Sequence, residues 1–304
     1  MIVGVSRFFM RKPFTTILAL LLASNALYLS VNAQRDFSDV QIKTTLLSES
    51  LYMLEGAGGN IGVCVGEDGI LIIDSQFAPL APKIEAALNE LQPGPVSYVL
   101  NTHLHGDHTG GNWHFGEANA TIIAHDRVHE RLSNQENFGA KGLPVITFSE
   151  SATIHFNGEE IRLLYYGAGH TDGDTVVWFV KANVIHMGDL MFNGRFPYID
   201  LSNGGDVEGY IAAVESALRL ADSETKIIPG HGLLATRSDL ELSLRMIRET
   251  YGLVKARIEE GMTLKQIQQA GMPEEWDSFD GGFIKKGRWI KTLYTDATKQ
   301  SGVK

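Results

Sequence analysis

Four side chains able to bind a metal ion fall within six residues in the segment 101–111, NTHLHGDHTGG. They follow a β-branched run that predicts a strand, and in an extended chain two histidines one residue apart project to the same side. The glycine after them lets the chain turn, so that the following Asp-His pair can face a second metal ion. Imidazole and carboxylate are ligands that zinc accepts, so this density favours a metal site over a solvated His-rich loop. The four residues are His103, His105, Asp107 and His108.

Strands and helices are expected to alternate along the chain. Short β-branched runs bounded by turn residues predict strands, and apolar residues recurring every three or four positions predict helices. In the first half the expected strands are 50–55, 61–66, 69–74, 96–101 and 120–124, and the expected helices are 82–91 and 126–132. In the second half the expected strands are 152–156, 160–166, 174–180, 183–186 and 226–229, with a helix at 207–220.

The two halves share one order of elements. Asp74 ends a strand and is followed by a helix, a strand and His103, while Asp189 is followed by a helix, a strand and His231. This order resembles an internal duplication. Two such halves with their hairpins predict an α/β protein folded as a four-layer αβ/βα sandwich, with a site where the two sheets meet.

The C-terminal part predicts helices that pack on the same core. Ser238-Asp-Leu-Glu241 has the form of a capping box, and an apolar stripe follows it until Gly261 ends the helix. Thr263-Leu-Lys-Gln266 predicts a second box at the start of a short helix. No linker separates these helices from the rest, so residues 34–304 are expected to form one domain.

Residues 1–33 have the pattern of a secretory signal peptide. Three basic residues precede an apolar run from Phe14 to Val31, and Val31-Asn32-Ala33 before Gln34 is a small-x-small cleavage pattern. An uncleaved N-terminal anchor is the alternative, but polar residues interrupt the run and the cleavage pattern is good. We therefore expect a Sec-type signal, cleavage near Ala33–Gln34, a periplasmic or secreted protein, and no stable membrane span after cleavage.

Charge and cysteine content narrow the function classes. The formal net charge is −10, and it becomes −13 without residues 1–33, which carry three basic and no acidic residues. Such a chain is a poor candidate for nucleic-acid binding, so a small-molecule substrate is expected. The single Cys excludes an intramolecular disulfide and a four-thiolate zinc site. Cys64 lies in an apolar stretch and is expected to be a buried, unreactive thiol.

The histidine segment resembles the metallo-β-lactamase superfamily, whose signature is His-x-His-x-Asp-His. Three further segments match that family in order and spacing over about residues 40–260: Gly167-Ala-Gly-His170, Met187-Gly-Asp189 and Pro229-Gly-His231-Gly. The resemblance implies the family's four-layer fold and two zinc ions per chain. It implies a first site of His103, His105 and His170, a second of Asp107, His108 and His231, and Asp189 as the bridge between them.

The same resemblance implies hydrolysis by a metal-bridging hydroxide, with Asp107 as the catalytic residue that orients the nucleophile and carries a proton. Some β-lactamases of the family have Cys where this chain has Asp189, so the site is more similar to those of glyoxalase II and the lactonases. Those enzymes have cytosolic substrates, whereas this chain is expected to be exported. An exported zinc hydrolase that cleaves a C–N or C–O bond of a cyclic amide or ester is therefore the leading hypothesis, and β-lactamase-like activity lies within it.

Two alternatives stay open: a mononuclear iron enzyme of the persulfide dioxygenase type, and a non-catalytic metal-binding accessory protein of an exported pathway. Phe192, Arg195 and Trp113 are the substrate-contact candidates. Neighbours of Asp189 form either a substrate wall or core beneath the C-terminal helices; they are Met187, Met191, Phe196, Pro197 and Tyr198. Asp74 and His186 are candidates to support the ligands through hydrogen bonds. The other histidines are expected to be surface or hydrogen-bonded residues: His114, His125, His129 and His155.

Overall fold

The computed structural model describes residues 36–300 together with Met1 and Gly4. Apart from those two residues, the predicted signal peptide and its cleavage site lie outside the described part of the chain. Among the described residues, no helix combines the length and the apolar character needed to cross a bilayer.

The first sheet has seven strands that follow one another in chain order. The first four pair antiparallel and the last three join by parallel pairing. The strands are β1 (Lys43–Leu46), β2 (Leu51–Glu55), β3 (Ile61–Gly66), β4 (Gly69–Ile73), β5 (Val96–Leu100), β6 (Thr121–His125) and β7 (Ile146–Phe148). The helices along this half are α1 (Ala81–Leu91), α2 (Gly106–Thr109), α3 (Asn112–Glu117) and α4 (Asp126–Ser133).

The second sheet has six strands in the order β13-β12-β11-β10-β9-β8. Only β11 and β12 pair in parallel, and a helix crosses over between them. The strands are β8 (Ser151–Phe156), β9 (Glu159–Tyr165), β10 (Thr175–Phe179), β11 (Val184–His186), β12 (Lys226–Ile228) and β13 (Ala235–Thr236). The helices of this half are α5 (Val207–Leu218), α6 (Arg237–Glu259), α7 (Leu264–Ala270) and α8 (Lys286–Gln300).

One apolar cluster joins the facing surfaces of the two sheets. It contains Leu71 and Leu100 from the first sheet and Leu163 and Val177 from the second, all at most 1% exposed. Cys64 is fully buried in the same cluster, where burial raises the pKa of its thiol to about 11. The sandwich and the inert thiol are thus as the sequence predicts.

A second cluster covers the outer surface of the second sheet with the C-terminal helices. Ile185 of β11 packs there with Tyr210 of α5, Leu244 of α6 and Trp289 of α8. The predicted stripe on α6 is buried, because its apolar residues recur on the side that faces this sheet. The C-terminal helices therefore form an outer layer of the sandwich, in which the layers follow the order helix, sheet, sheet, helix.

Three short strands, three helices and one helix start were not predicted with the bounds that the structure shows. The three helices are α2, α3 and α8. β1, β7 and β13 were not expected, because each has two to four residues and no strong alternation of apolar side chains. The predicted capping box at Ser238 is wrong: Thr236 is the N-cap, accepting a hydrogen bond from the Asp239 backbone while the Asp239 side chain accepts one from Thr236. Pairing of β13 with β12 positions Thr236 to begin the helix. The box at Thr263 and Gln266 is confirmed.

Candidate metal centre

The ends of three strands supply the predicted ligands. His103 and His105 follow β5, Asp189 lies in a 3-10 turn directly after β11, and His231 follows β12. Asp107 and His108 lie in α2, for which His105 is the N-cap. β11 and β12 pair in parallel, so their carboxyl ends meet at one edge of the second sheet. β5 of the first sheet ends close to the same point, since His103 Nε2 lies 3.8 Å from Asp189 Oδ2.

Three histidine nitrogens converge on one point. His105 Nδ1 lies 3.1 Å from His103 Nε2 and 2.9 Å from His170 Nε2. Together with a carboxylate oxygen of Asp189, these atoms all lie within 4.8 Å of one another. Burial lowers the pKa of His170 to about 4 and the pKa of His103 well below its ordinary value. Neutral rings with inward lone pairs are what a metal ion requires of imidazole.

The opposite nitrogen of each ring donates a hydrogen bond away from this point. His105 Nε2 donates to Asp200 Oδ2 at 2.9 Å, and His170 Nδ1 donates to the Tyr198 carbonyl at 2.6 Å. His103 Nδ1 lies 3.0 Å from the Thr102 hydroxyl, whose own proton goes to Asp74. These partners hold each ring in the tautomer that leaves its inward nitrogen free to accept a cation.

A second group lies beside the first and consists of Asp107, His108 and His231. Asp189 faces both groups: its Oδ1 is 3.1 Å from His108 Nε2 and 3.3 Å from His231 Nε2. Its Oδ2 is 3.4 Å from His170 Nε2 and 3.8 Å from His103 Nε2. His108 Nε2 and Asp189 Oδ1 are buried, and neither meets the geometric criteria for a hydrogen bond with any residue in the described part of the chain. Buried polar atoms are normally paired, so this arrangement fits two atoms that coordinate a metal ion.

The electrostatic field of the second group favours a cation. Burial alone would lower the pKa of His231, but Asp189 and Asp107 raise it to about 9. The carboxylates thus outweigh desolvation and attract positive charge at this point, which a metal ion supplies more strongly than a proton. Residues, orientation and charge therefore all fit metal binding.

Two glycines let the backbone approach these ligands closely. A Cβ atom on Gly59 would lie 2.2 Å from the His108 ring, and one on Gly230 would lie 2.1 Å from Asp189 Oδ1. Both distances are far below van der Waals contact, so only glycine fits without displacing a ligand. The two glycines lie in the loop before β3 and in the Pro-Gly-His-Gly loop after β12.

Comparison with known proteins agrees with this geometry. The profile of the family described as the metallo-beta-lactamase superfamily matches residues 54–231, which include all seven converging side chains. The chain belongs to the metallo-β-lactamase superfamily. Members of the superfamily are generally hydrolases, and the His/Asp clusters of this chain are of the kind that holds metal ions in that fold.

Relatives within the superfamily have several different names. The chain is 28% identical over 131 residues to 2,4-dinitroanisole O-demethylase subunit alpha of Nocardioides sp. (strain JS1661), covering 42% of this chain and 40% of that protein. It is 25% identical to the metallo-beta-lactamase IND-1 of Chryseobacterium indologenes, and the match covers 51% of this chain and 63% of that protein. It is 29% identical to the hydroxyacylglutathione hydrolase of Nitrosococcus oceani, and the match covers 45% of this chain and 48% of that protein. The match thus spans about half the length of these relatives.

Solved structures of the superfamily show the same fold. The metallo-beta-lactamase from Pontibacter korlensis superposes with a TM-score of 0.61 at 17% identity, covering 68% of this chain and 99% of that one. Most of that enzyme therefore has a counterpart here. About a third of this chain has none in that superposition.

The substrate-contact candidates lie in different surroundings. The Phe192 ring stacks on His231 with 5.0 Å between ring centroids, so it forms part of the wall of the centre. Trp113 is 54% exposed and lines a separate cavity of about 510 Å³ with Phe138, next to α2. Arg195 is half-buried and packs against Gly282.

The segment after Asp189 divides between wall and core. Tyr198 stacks on His105 with 5.7 Å between ring centroids and is part of the wall. Met187, Met191 and Phe196 are at most 1% exposed and belong to the cluster beneath the C-terminal helices. These three side chains therefore belong to the core and not to the wall of the centre.

Hydrogen bonds connect both candidate support residues to the centre. Asp74 accepts from the Thr102 backbone at 2.8 Å and from His108 Nδ1 at 2.7 Å, and it is fully buried. His186 Nε2 donates to the Asn60 carbonyl, while its Nδ1 accepts from the Gly188 backbone, both at 3.1 Å. His186 thereby joins the loop before β3 to the turn that carries Asp189.

The remaining histidines lie outside the two ligand groups. His114 contacts Glu85, and both His125 and His129 hydrogen-bond to backbone carbonyls. His155 is exposed on β8. The expectation that these are surface or hydrogen-bonded residues is confirmed.

Sequence reasoning missed Asp200 and Asn60. Asp200 is 4% exposed and accepts from the Ser202 and Asn203 backbones as well as from His105. Asn60 Nδ2 donates to the carbonyls of Pro229 and Gly232, so it fixes the loop that carries His231. The Asp-x-Ser-Asn pattern at 200–203 indicates a turn cap, but nothing in it indicates a histidine 95 residues away.

Proposed function

We propose that this protein is an exported, zinc-dependent hydrolase that binds two zinc ions per chain and cleaves a C–N or C–O bond of a small cyclic amide or ester. The observation that carries the proposal is the position of Asp189, whose two carboxylate oxygens face the two ligand groups at 3.1–3.8 Å. A carboxylate held this way suits a bridge between two cations and has no evident role in an apolar core.

The seven converging side chains divide between two ions. His103, His105 and His170 would hold the first, Asp107, His108 and His231 the second, and Asp189 would contact both. Nitrogen and carboxylate donors without thiolate suit zinc. Bound zinc supplies Lewis acidity and an ionised water near neutral pH, which are the requirements for attack on a carbonyl.

The protein's own side chains would orient the substrate and move the proton. Asp107 keeps 25% of its side chain exposed, and its Oδ2 lies 3.3 Å from His231 Nε2. From this position its carboxylate can take up a proton and deliver it to the leaving atom. The rings of Phe192 and Tyr198, stacked on His231 and His105, form apolar surface beside the metal ligands. That surface excludes water from one side of the substrate.

Metal analysis combined with a substrate panel tests this function. Zinc-loaded protein is assayed with nitrocefin, a lactone and a thioester while bound metal is quantified. We expect about two zinc ions per chain and turnover of at least one substrate. His105→Ala should lose the first zinc ion and the turnover, whereas His155→Ala, which removes an exposed histidine, should keep both ions and the turnover. One iron per chain with inert zinc protein would favour the dioxygenase alternative. Full metal occupancy without turnover, and a biological role that survives Asp107→Ala, would favour the accessory protein.

Export is tested separately by mass spectrometry of the protein isolated from its source cells. The proposal expects a periplasmic or secreted protein whose chain begins at Gln34. A chain that retains residues 1–33 and fractionates with membranes would identify the segment as an anchor.

A further inference from the structure

A chain of three hydrogen bonds joins helix α4 to the first ligand group. Asn203 Oδ1 accepts from Arg131 Nη1 at 2.8 Å, and Asn203 Nδ2 donates to Asp200 Oδ2 at 2.7 Å. The same oxygen of Asp200 accepts from His105 Nε2 at 2.9 Å. Arg131, in the last turn of α4, is therefore connected to a predicted metal ligand through two polar side chains.

The arginine sets the orientation of the Asn203 amide. The two ends of a primary amide are alike in shape but opposite in hydrogen bonding, because the oxygen accepts and the nitrogen donates. A guanidinium group only donates, so Arg131 requires the Asn203 oxygen on its side and turns the amide nitrogen towards Asp200. A reversed amide would place its oxygen against the Asp200 carboxylate and its nitrogen against the guanidinium, and both hydrogen bonds would be lost.

Arg131 also holds the loop that carries His170. Its Nε and Nη2 donate to the two carboxylate oxygens of Asp172, two residues after His170, at 2.7 and 2.6 Å. The Asp172 backbone donates to the Asn203 carbonyl at 3.1 Å, and the Asp200 backbone donates to the His170 carbonyl at 2.8 Å. One guanidinium group therefore binds both the loop of His170 and the turn of Asp200.

Two glycines allow this loop and this turn to lie in direct contact. A Cβ atom on Gly204 would lie 2.8 Å from the Cβ of Asp172, and one on Gly205 would lie 2.5 Å from the His170 carbonyl oxygen. The side chains of Arg131 and Asp172 are only 28% and 23% exposed. Because this ion pair is largely shielded from water, its paired hydrogen bonds hold the two segments more firmly than an exposed pair would.

We infer that Arg131 is a positioning residue of the first ligand group. It orients the Asn203 amide, and the amide in turn orients the Asp200 carboxylate that holds His105. Consecutive hydrogen bonds polarise one another, so the positive charge at one end of this chain favours the arrangement in which His105 Nε2 donates. His105 Nδ1 then keeps its lone pair directed to the point where it lies 2.9 Å from His170 Nε2.

Zinc affinity in a double-mutant cycle tests this inference, which rests on the proposed function for the identity of the metal. Competition with a chromogenic chelator is measured for the wild type, Arg131→Ala, Asp200→Asn and the double variant. Arg131→Ala should weaken zinc binding about tenfold, whereas the double variant should bind zinc no more weakly than Asp200→Asn alone. Additive losses would overturn the inference, because a general loss of stability does not depend on Asp200.

Two further variants keep the test decisive if Arg131→Ala does not fold. Asn203→Ala interrupts the chain but leaves the ion pair of Arg131 with Asp172, and it should lose zinc affinity to a similar extent. Arg131→Lys retains a charged donor without the fork and should lie between the wild type and Arg131→Ala. Arg127→Ala, which removes an exposed ion pair with Glu130 on the same helix, should leave the affinity unchanged. Wild-type affinity in Asn203→Ala would overturn the inference.

A measurement without metal or substrate separates this inference from the hydrolase proposal. In chelator-treated protein, NMR follows the exchange of the Asn203 side-chain amide protons with water. The proton held by the Asp200 carboxylate should exchange about tenfold faster in Arg131→Ala than in the wild type. This result, together with the loss of zinc affinity, supports the inference even if no substrate is hydrolysed, and in that case only the hydrolase proposal fails. Turnover with unchanged exchange and unchanged zinc affinity would overturn the inference and leave the hydrolase intact.

Discussion

His105 Nε2 and Asp200 Oδ2 lie 2.9 Å apart, so a buried carboxylate holds the most exposed histidine of the first ligand group. Burial by itself would raise the pKa of Asp200, but hydrogen bonds from His105, Ser202 and Asn203 lower it, and the group is ionised at neutral pH. Asn203 also accepts a hydrogen bond from Arg131, whose fork contacts Asp172 at 2.6 and 2.7 Å. The turn at 200–203 is thereby anchored to helix α4.

Replacing this carboxylate should weaken metal binding. In Asp200→Asn the amide retains the shape but loses the charge that accepts the hydrogen bond from His105 Nε2 and thereby orients Nδ1 towards the metal site. We expect the affinity of the first group for zinc to fall about 10- to 100-fold, measured by competition with a chromogenic chelator. Asp222→Asn, which alters an exposed turn carboxylate, is the control. Equal affinities in both variants would show that Asp200 does not act through His105.

A methyl group at position 230 should displace Asp189. Because a Cβ there would lie 2.1 Å from Asp189 Oδ1 and 2.6 Å from the Gly188 carbonyl, Gly230→Ala must move the carboxylate or the turn. We expect bound zinc to fall from about two ions per chain to about one or fewer, measured by elemental analysis. The control, Gly252→Ala, lies on α6, where within the described residues no atom other than those of the adjacent residues and the helix backbone lies within 4 Å of the added Cβ. Full occupancy in Gly230→Ala would contradict the bridging position.

Asp74 should matter for folding as well as for metal binding. It is fully buried and accepts hydrogen bonds from both Thr102 donors and from His108. Asp74→Ala leaves these donors without a partner, so the free energy of unfolding in urea should fall by about 3–5 kcal/mol. Asp74→Asn keeps an acceptor and suits the left-handed backbone, with φ of 67°, so it should lose less stability. Equal losses in the two variants would argue against a hydrogen-bonding role.

Asp296 should make the stability of the C-terminal helices depend on pH. Burial raises the pKa of Asp296, which accepts hydrogen bonds from Tyr251 and the Val207 backbone. The carboxyl group of Asp296 therefore binds its proton more tightly in the folded protein than in the unfolded chain. Its stabilising contribution is complete below the ordinary pKa of 3.8 and is lost as the pH rises through the higher folded pKa.

Urea unfolding at a series of pH values from 3 to 7 tests this linkage. Asp296→Asn mimics the protonated acid, so its free energy of unfolding relative to the wild type should increase as the pH rises. Asp222→Asn should give no such trend with this sign, because the pKa of Asp222 is lowered by hydrogen bonds from Asn183 and the Glu224 backbone. A constant difference between Asp296→Asn and the wild type would mean that Asp296 titrates alike in the folded and unfolded states.

Local patterns in the sequence were sufficient for the layers of the fold and for the four ligand candidates at 103–108, whereas His170, Asp189 and His231 were assigned through the resemblance of their segments to the metallo-β-lactamase superfamily. A strand ending in His-x-His-x-Asp-His is a short-range feature, and so are the turns around His170, Asp189 and His231, because backbone propensity and side-chain periodicity act over a few residues. The capping box at Thr263 is equally local. The box at Thr236 was misplaced because its start depends on the pairing of β13 with β12, which is a contact between strands.

Only the tertiary structure decided which groups surround those side chains. Asp200 reaches His105 across 95 residues, Asn60 reaches Pro229 across 169, and Arg288 of helix α8 reaches Tyr198 in the loop after Asp189. Such contacts depend on how the two sheets and the C-terminal helices pack, and packing is a sum of many weak interactions with no short sequence pattern. The sequence by itself therefore determined the family of folds and the donor set, while the packing determined how the donors are held and what charge lies beside them.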